Sequence, residues 1–258
     1  MRKPLVGTGW KMNHGPAAAL TYAAKLRALL AEQKTEGLDI FVLPPLVSLS
    51  AASAAFAGSP VAIGGQNIHW EDSGSWTGEV SAPMLKEVGC RYAELAHHER
   101  LTHFGETYEL VRLKIDAAMK AGLTPILCLG ESAADKQNGT SDDTLRYQVT
   151  TALAGQTAAS IPGVVLAYEP RWAIGQAEAA PPAYVEERHA ALRALLAREW
   201  GAKTAEDTRI IYGGSVSPAN GAGLISLPNV DGLFIGRSAW TAEGFAAMVR
   251  IVADAKLG

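Results

Sequence analysis

Short apolar, β-branched runs recur along the chain at fairly even intervals: Leu5–Val6, Ile40–Leu43, Val61–Ile63, Tyr92–Ala96, Pro125–Leu129, Val164–Tyr168, Ile210–Tyr212 and Leu233–Ile235. Runs of this length and composition read as buried strands. Between them lie alanine- and leucine-rich stretches whose apolar residues fall at helical spacing, such as Leu192, Leu195, Leu196 and Trp200, or Leu110, Leu113, Ala117 and Ala121. Those predict helices with one buried face.

Spread over 258 residues, eight strands leave about 32 residues per unit, close to the roughly 30 that a strand, a crossover helix and two loops require. Repeated βα units force parallel strands covered by helices, so the α/β alternatives are a closed (β/α)8 barrel and an open doubly wound sheet. A dinucleotide-binding sheet calls for G-x-G-x-x-G after its first strand, and Gly7-Thr8-Gly9-Trp10-Lys11-Met12 lacks the third glycine. The barrel is therefore the expected fold. With no Pro/Ser-rich linker or break in composition, residues 1–258 are expected to form one domain.

Composition narrows the class of function. The chain is 48% hydrophobic and 19% charged, so a large core is available without metal or disulfide support. Its net charge of −3 and the absence of like-charge runs argue against nucleic acid as a partner. Polar residues follow the first apolar run too soon for a signal peptide, and no apolar stretch is long enough to span a membrane. Cys90 and Cys128 are too few for a disulfide framework, and a reducing cytoplasm is expected.

In a barrel of this kind, chemistry gathers where strands end. Lys11 follows the first run, His97-His98-Glu99-Arg100 the fourth, Glu169 the sixth, Gly213-Gly214-Ser215 the seventh and Gly236-Arg237-Ser238 the eighth. Together they offer a general base, an imidazole electrophile, a fixed cation and glycine-lined donors for an anion. That set suits proton transfer beside the carbonyl of a phosphorylated substrate. Taken singly, each has a plainer reading: a solvated lysine, a turn-starting Glu before Pro170, a core histidine, a glycine bend. No metal-ligand spacing accompanies His97, so neither metal nor cofactor is expected.

At these positions the sequence resembles the triosephosphate isomerase family over essentially its whole length. The matching stretches are Trp10-Lys11-Met12-Asn13; Gln66-Asn67 with Gly74 and Thr77-Gly78-Glu79; His97 with Glu99-Arg100 and Phe104-Gly105-Glu106; Cys128-Leu129-Gly130-Glu131; Tyr168-Glu169-Pro170 with Trp172-Ala173-Ile174-Gly175; and Tyr212-Gly213-Gly214-Ser215-Val216. The resemblance implies a TIM barrel and an aldose–ketose isomerase acting through an enediolate. Glu169 would be the base, His97 the electrophile and proton shuttle, and Lys11 the stabilising cation, with Glu99 in the same catalytic set. Gly175, Ser215 and Gly236 would hold the phosphate, and the segment from Pro170 to about Ala180 would be a lid that excludes water. Thr77, on a long loop with Trp76, would enter a second subunit and make a homodimer.

Several positions depart from the family pattern. Gly9 stands where the pattern has Asn, which opens space beside the substrate. His98 replaces a Ser, Leu101 an Arg, and Arg171 a small apolar residue of the lid hinge. The lid tip reads Gly175-Gln176-Ala177-Glu178, and Arg237 replaces the second glycine of the phosphate pair. Arg237 would crowd that cradle if its backbone needed positive φ, or grip phosphate through its guanidinium. Dihydroxyacetone phosphate and glyceraldehyde 3-phosphate are the expected substrates. A four-carbon ketose phosphate such as erythrulose phosphate is the alternative, and a barrel that binds sugar phosphates without turning them over is a third reading.

Overall fold

All eight apolar runs form strands in the computed structural model, which describes residues 2–258. The strands are β1 (Leu5–Gly9), β2 (Asp39–Leu43), β3 (Val61–Gly65), β4 (Tyr92–Leu95), β5 (Thr124–Leu129), β6 (Val165–Tyr168), β7 (Arg209–Gly213) and β8 (Gly232–Ile235). Each pairs in parallel with its sequence neighbours, and β8 returns to β1 through the Leu5–Gly232 register, closing the barrel. Helices follow the strands around the outside, among them Pro16–Ala31, Tyr108–Lys120, Pro182–Trp200 and Ala242–Leu257. No helix among the described residues is long and apolar enough to cross a membrane.

Alternation along each strand divides the core in two. Inward-facing Leu5, Phe41, Leu43, Tyr92, Ile126, Cys128, Val165, Ala167, Ile211 and Phe234 fill the lumen. Outward-facing residues such as Val6, Ile40, Val42, Leu127, Leu166 and Leu233 pack under the helices. The end opposite the strand termini is closed by ions: Asp39 takes Lys3 and Arg209 at 2.7 Å each, and Asp231 takes Arg2 at 2.6 Å and Arg193 at 2.7 Å. The polar residues of interest are left at the other end.

The fourth strand stops one residue before its apolar run does, because Ala96 turns into the left-handed region at φ 63°. A side chain there costs about 1–2 kcal/mol, and the turn aims His97 at the mouth. Val164 likewise lies just outside β6.

Candidate active site

The loops after β1, β4 and β6 bring Lys11, His97, Glu99 and Glu169 together at the mouth. Lys11 adopts φ 52°, a strained conformation for a residue with a side chain. It is held there by Gln66, whose Nε2 donates to the carbonyl oxygens of Lys11 at 3.1 Å and Leu43 at 2.8 Å. The Lys11 ammonium reaches Glu99 Oε1 at 2.6 Å. That hydrogen bond, aided by the positive charge, outweighs the cost of partial burial and holds the Glu99 carboxyl below its ordinary range.

His97 caps the short helix His98–His103, and its Nδ1 accepts the backbone N–H of Glu99 at 3.2 Å. An accepting Nδ1 leaves the proton of a neutral ring on Nε2, 3.8 Å from Glu169 Oε2. Burial first, and then the nearby Lys11 ammonium, push the imidazole down to about 3, so it is neutral at physiological pH. The same burial acts on Glu169 with the opposite sign. Desolvation lifts its carboxyl to about 7, Lys11 opposing and Glu99 adding to the rise. Room for this side chain depends on Gly213, where a Cβ would stand 2.8 Å from Glu169 Cγ and Oε1.

His98 lies against His97, ring centroids 4.6 Å apart, with its own imidazole lowered chiefly by burial. The ligand atoms of His97, His98 and Glu99 fall within 4.8 Å of one another, close enough to hold a metal ion on distance alone. Two of them are engaged, however: His97 Nδ1 by a backbone N–H and Glu99 Oε1 by Lys11. The donor set fits a proton-transfer site better than a metal site.

The residues expected at a phosphate lie on the loops after β6, β7 and β8. Ser215, at φ 49°, places its Oγ 2.9 Å from the carbonyl oxygens of both Ala173 and Gln176. Gly175, at φ 74°, turns the chain between them. Gly236 sits at φ −88°, and Arg237 opens a short 3-10 turn without positive φ. Arg237 is therefore unstrained, and its guanidinium donates to the Gly175 carbonyl at 3.2 Å, bridging the loop after β8 to the loop after β6. Arg171 is anchored too, its Nε donating to Gly130 O at 2.9 Å. Thr77 lies apart from the mouth in an exposed loop where His69 stacks on Trp70, ring centroids 4.0 Å apart, and lies 4.2 Å from Trp76.

Two residues of the site were not singled out by sequence. Glu131, fully buried, accepts from Trp172 at 2.7 Å, Tyr184 at 2.9 Å and Tyr168 at 3.1 Å, tying the loop after β6 to the end of β5. Glu94, on the inward face of β4, is a carboxyl inside the lumen. Its signal was present as an acid interrupting the apolar run Tyr92–Ala96.

The family model described as triosephosphate isomerase matches residues 4–252. The chain is 43% identical over 249 residues to an L-erythrulose-1-phosphate isomerase of Mycolicibacterium smegmatis, covering 96% of this chain and 92% of that one. It is 42% identical over 253 residues to a triosephosphate isomerase of Chlorobium chlorochromatii, covering 98% and 99%. The crystal structure of triosephosphate isomerase from Bartonella henselae superimposes with a TM-score of 0.86 at 32% identity, over 96% of this chain and 98% of that one. With the barrel, the mouth and these relatives in agreement, the chain belongs to the triosephosphate isomerase family and is an isomerase of small sugar phosphates.

Proposed function

We propose that the enzyme isomerises a small ketose phosphate through an enediolate, dihydroxyacetone phosphate to glyceraldehyde 3-phosphate in the three-carbon case, with Glu169, His97 and Lys11 doing the chemistry. The observation that carries this reading is a buried carboxyl raised to about 7 beside an imidazole held neutral, 3.8 Å apart. A base of that strength can take a carbon-bound proton and return it to the neighbouring carbon near neutral pH. The His97 Nε2–H polarises the carbonyl and moves the proton between the two substrate oxygens. Lys11 balances the charge that develops on them, with Glu99 positioning its ammonium. Gly175, Ser215 and Gly236 take the phosphate with Arg237 at its edge, and the lid keeps water from the enediolate.

A second reading is favoured by one specific observation. At Gly9 a Cβ would stand 3.5 Å from the Phe234 ring and 3.8 Å from Glu94 Oε2, ordinary contact distances, so a carbon-sized group fits where the family pattern has an Asn. A four-carbon ketose phosphate, the substrate named for two of the relatives, would fit this larger pocket. Both readings use the same catalytic groups. Purified enzyme offered dihydroxyacetone phosphate, glyceraldehyde 3-phosphate and L-erythrulose 1-phosphate in parallel ranks the substrates by kcat/KM. Glu169→Gln should lower kcat by about 10²–10⁴-fold on whichever is used. Unchanged turnover would remove Glu169 from the mechanism, and failure to exchange substrate C–H with deuterated water would leave only a binding role.

The chain is read as a single domain working as a cytoplasmic homodimer. Both cysteines are free and buried. Met12 (96% exposed), Val47 (75%), Met84 (51%) and Trp76 (45%) are apolar side chains on segments that follow β1, β2 and β3, where the Thr77 loop also lies. Such exposure suits a covered face better than a free one. Sedimentation equilibrium at twice the monomer mass of 27.2 kDa is the expected result.

A further inference from the structure

Inside the barrel, Glu94 shares the inward face of β4 with Tyr92 and is 6% exposed among apolar neighbours. Its carboxyl makes one side-chain hydrogen bond among the described residues, a long contact of 3.9 Å from the Cys128 thiol to Oε1. Oε2 instead lies 3.8 Å from the point a Gly9 Cβ would occupy, and the Phe234 ring lies 3.5 Å from the same point. The space left by Gly9 is thus a recess of carbon size, in ordinary contact with both the aromatic ring and the carboxyl. Gly9 is the last residue of β1 and stands two residues before Lys11, so the carboxyl that faces it lies toward the mouth end of the lumen. Burying a carboxyl with so poor a partner is costly unless something else satisfies it.

We propose that Glu94 and Gly9 form a subsite for a hydroxymethyl group carried by the substrate carbon that loses its proton, which makes the enzyme select a four-carbon ketose 1-phosphate over dihydroxyacetone phosphate. The inference rests on the enediolate reading above and deepens it. L-Erythrulose 1-phosphate is dihydroxyacetone phosphate with one hydrogen of that carbon replaced by CH2OH. Loops after β6, β7 and β8 hold the phosphate in that reading, so the added group lies at the other end of the substrate, toward β1 and β4. There the Phe234 ring packs the methylene and Glu94 bonds the hydroxyl. Burial, with the charge of Glu169 second, raises the Glu94 carboxyl to about 8. It is neutral at pH 7 and adds no second negative charge beside the enediolate. The three-carbon substrate leaves Glu94 unpaired, which is the circumstance in which a polar pocket discriminates best.

The test measures kcat/KM for L-erythrulose 1-phosphate and dihydroxyacetone phosphate with wild type, Glu94→Val, Glu94→Gln and Gly9→Asn. Wild type should favour the four-carbon substrate. Glu94→Val, similar in volume and compatible with the apolar lumen, should lower the four-carbon to three-carbon ratio about tenfold or more. Glu94→Gln, which keeps a donor and an acceptor, should retain most of the ratio. Gly9→Asn should lower it by filling the recess, chiefly through KM. A ratio that Glu94→Val leaves unchanged, whether both rates stay or fall together, overturns the subsite. Wild type acting on dihydroxyacetone phosphate alone also overturns it, while leaving the enediolate reading intact. Wild type acting on neither overturns both.

Discussion

Replacing Glu94 by Gln removes one ionisation from the lumen and changes the shape of the side chain little, so its effect on stability can be worked through. In the unfolded chain the carboxyl ionises near 4.5, whereas in the folded barrel it keeps its proton to about 8. Between those values the folded state binds more protons than the unfolded one. Stability falls as pH rises through that window and levels off above it. At about 1.4 kcal/mol per pH unit, the loss between pH 5 and pH 9 is roughly 4 kcal/mol. Gln has no proton to lose, so the stability of Glu94→Gln relative to wild type should improve by about that amount over the same interval. Urea denaturation followed by circular dichroism at pH 5, 7 and 9 measures the difference, and most other carboxylates cancel in it. A difference constant to within about 1 kcal/mol would refute the reasoning, because it would mean that Glu94 ionises in the folded protein as freely as in the unfolded chain.

The pH dependence of kcat/KM should rise through about 7 as Glu169 loses its proton, and fall above about 8 as Glu94 ionises beside the enediolate. Glu94→Gln should abolish the alkaline fall, and its persistence would assign that limb to another group. Arg237→Gly should raise KM by up to about tenfold if the guanidinium holds phosphate as well as the Gly175 carbonyl. A lower KM would show that the side chain obstructs the cradle. Ala96→Gly relieves a left-handed residue at φ 63°, worth about 1–2 kcal/mol less the extra freedom glycine brings to the unfolded chain. A net gain of about 0.5–1 kcal/mol in chemical denaturation is expected, and a loss would mean that the Ala96 methyl packs well enough to offset the strain.

Strand positions were legible because each carries a run of apolar residues that only a doubly covered strand can bury; parallel pairing followed from their spacing, and closure was expected because the third glycine of a dinucleotide-binding loop is missing after the first strand. Lys11, His97 and Glu169 were legible for a different reason: each directly follows a strand, so topology alone brings them to one end. Glu94 escaped because a single acid within an apolar run does not reveal which face it occupies. The parity of β4 decides that, and only the register with β5, Glu94 against Ile126, fixes the parity. Glu131 was visible as part of a motif, but its role depends on three aromatic partners, two of them more than 40 residues away in sequence. Whether Arg237 was strained could not be read from its identity. The answer lay in a backbone angle.

The strain in this molecule is concentrated where the chemistry is. Among the described residues, the non-glycine positions at positive φ are Lys11, His14, Ala96 and Ser215. Lys11 is the cation paired with Glu99, Ala96 immediately precedes His97, Ser215 bonds the carbonyls of Ala173 and Gln176, and His14 follows Lys11 by three residues. Strand and helix dihedrals cannot bend a chain sharply enough to point a side chain back over the barrel axis, so the loops after β1, β4 and β7 meet the mouth through left-handed residues. The barrel beneath can hold these conformations because its strands are paired on both sides and its lumen is filled. That division explains how Gly9, Arg171 and Arg237 can depart from the family pattern while Glu169, His97 and Lys11 still converge. The groups gathered at the mouth are fixed by backbone geometry rooted in the sheet, whereas the side chains around them can change without disturbing it.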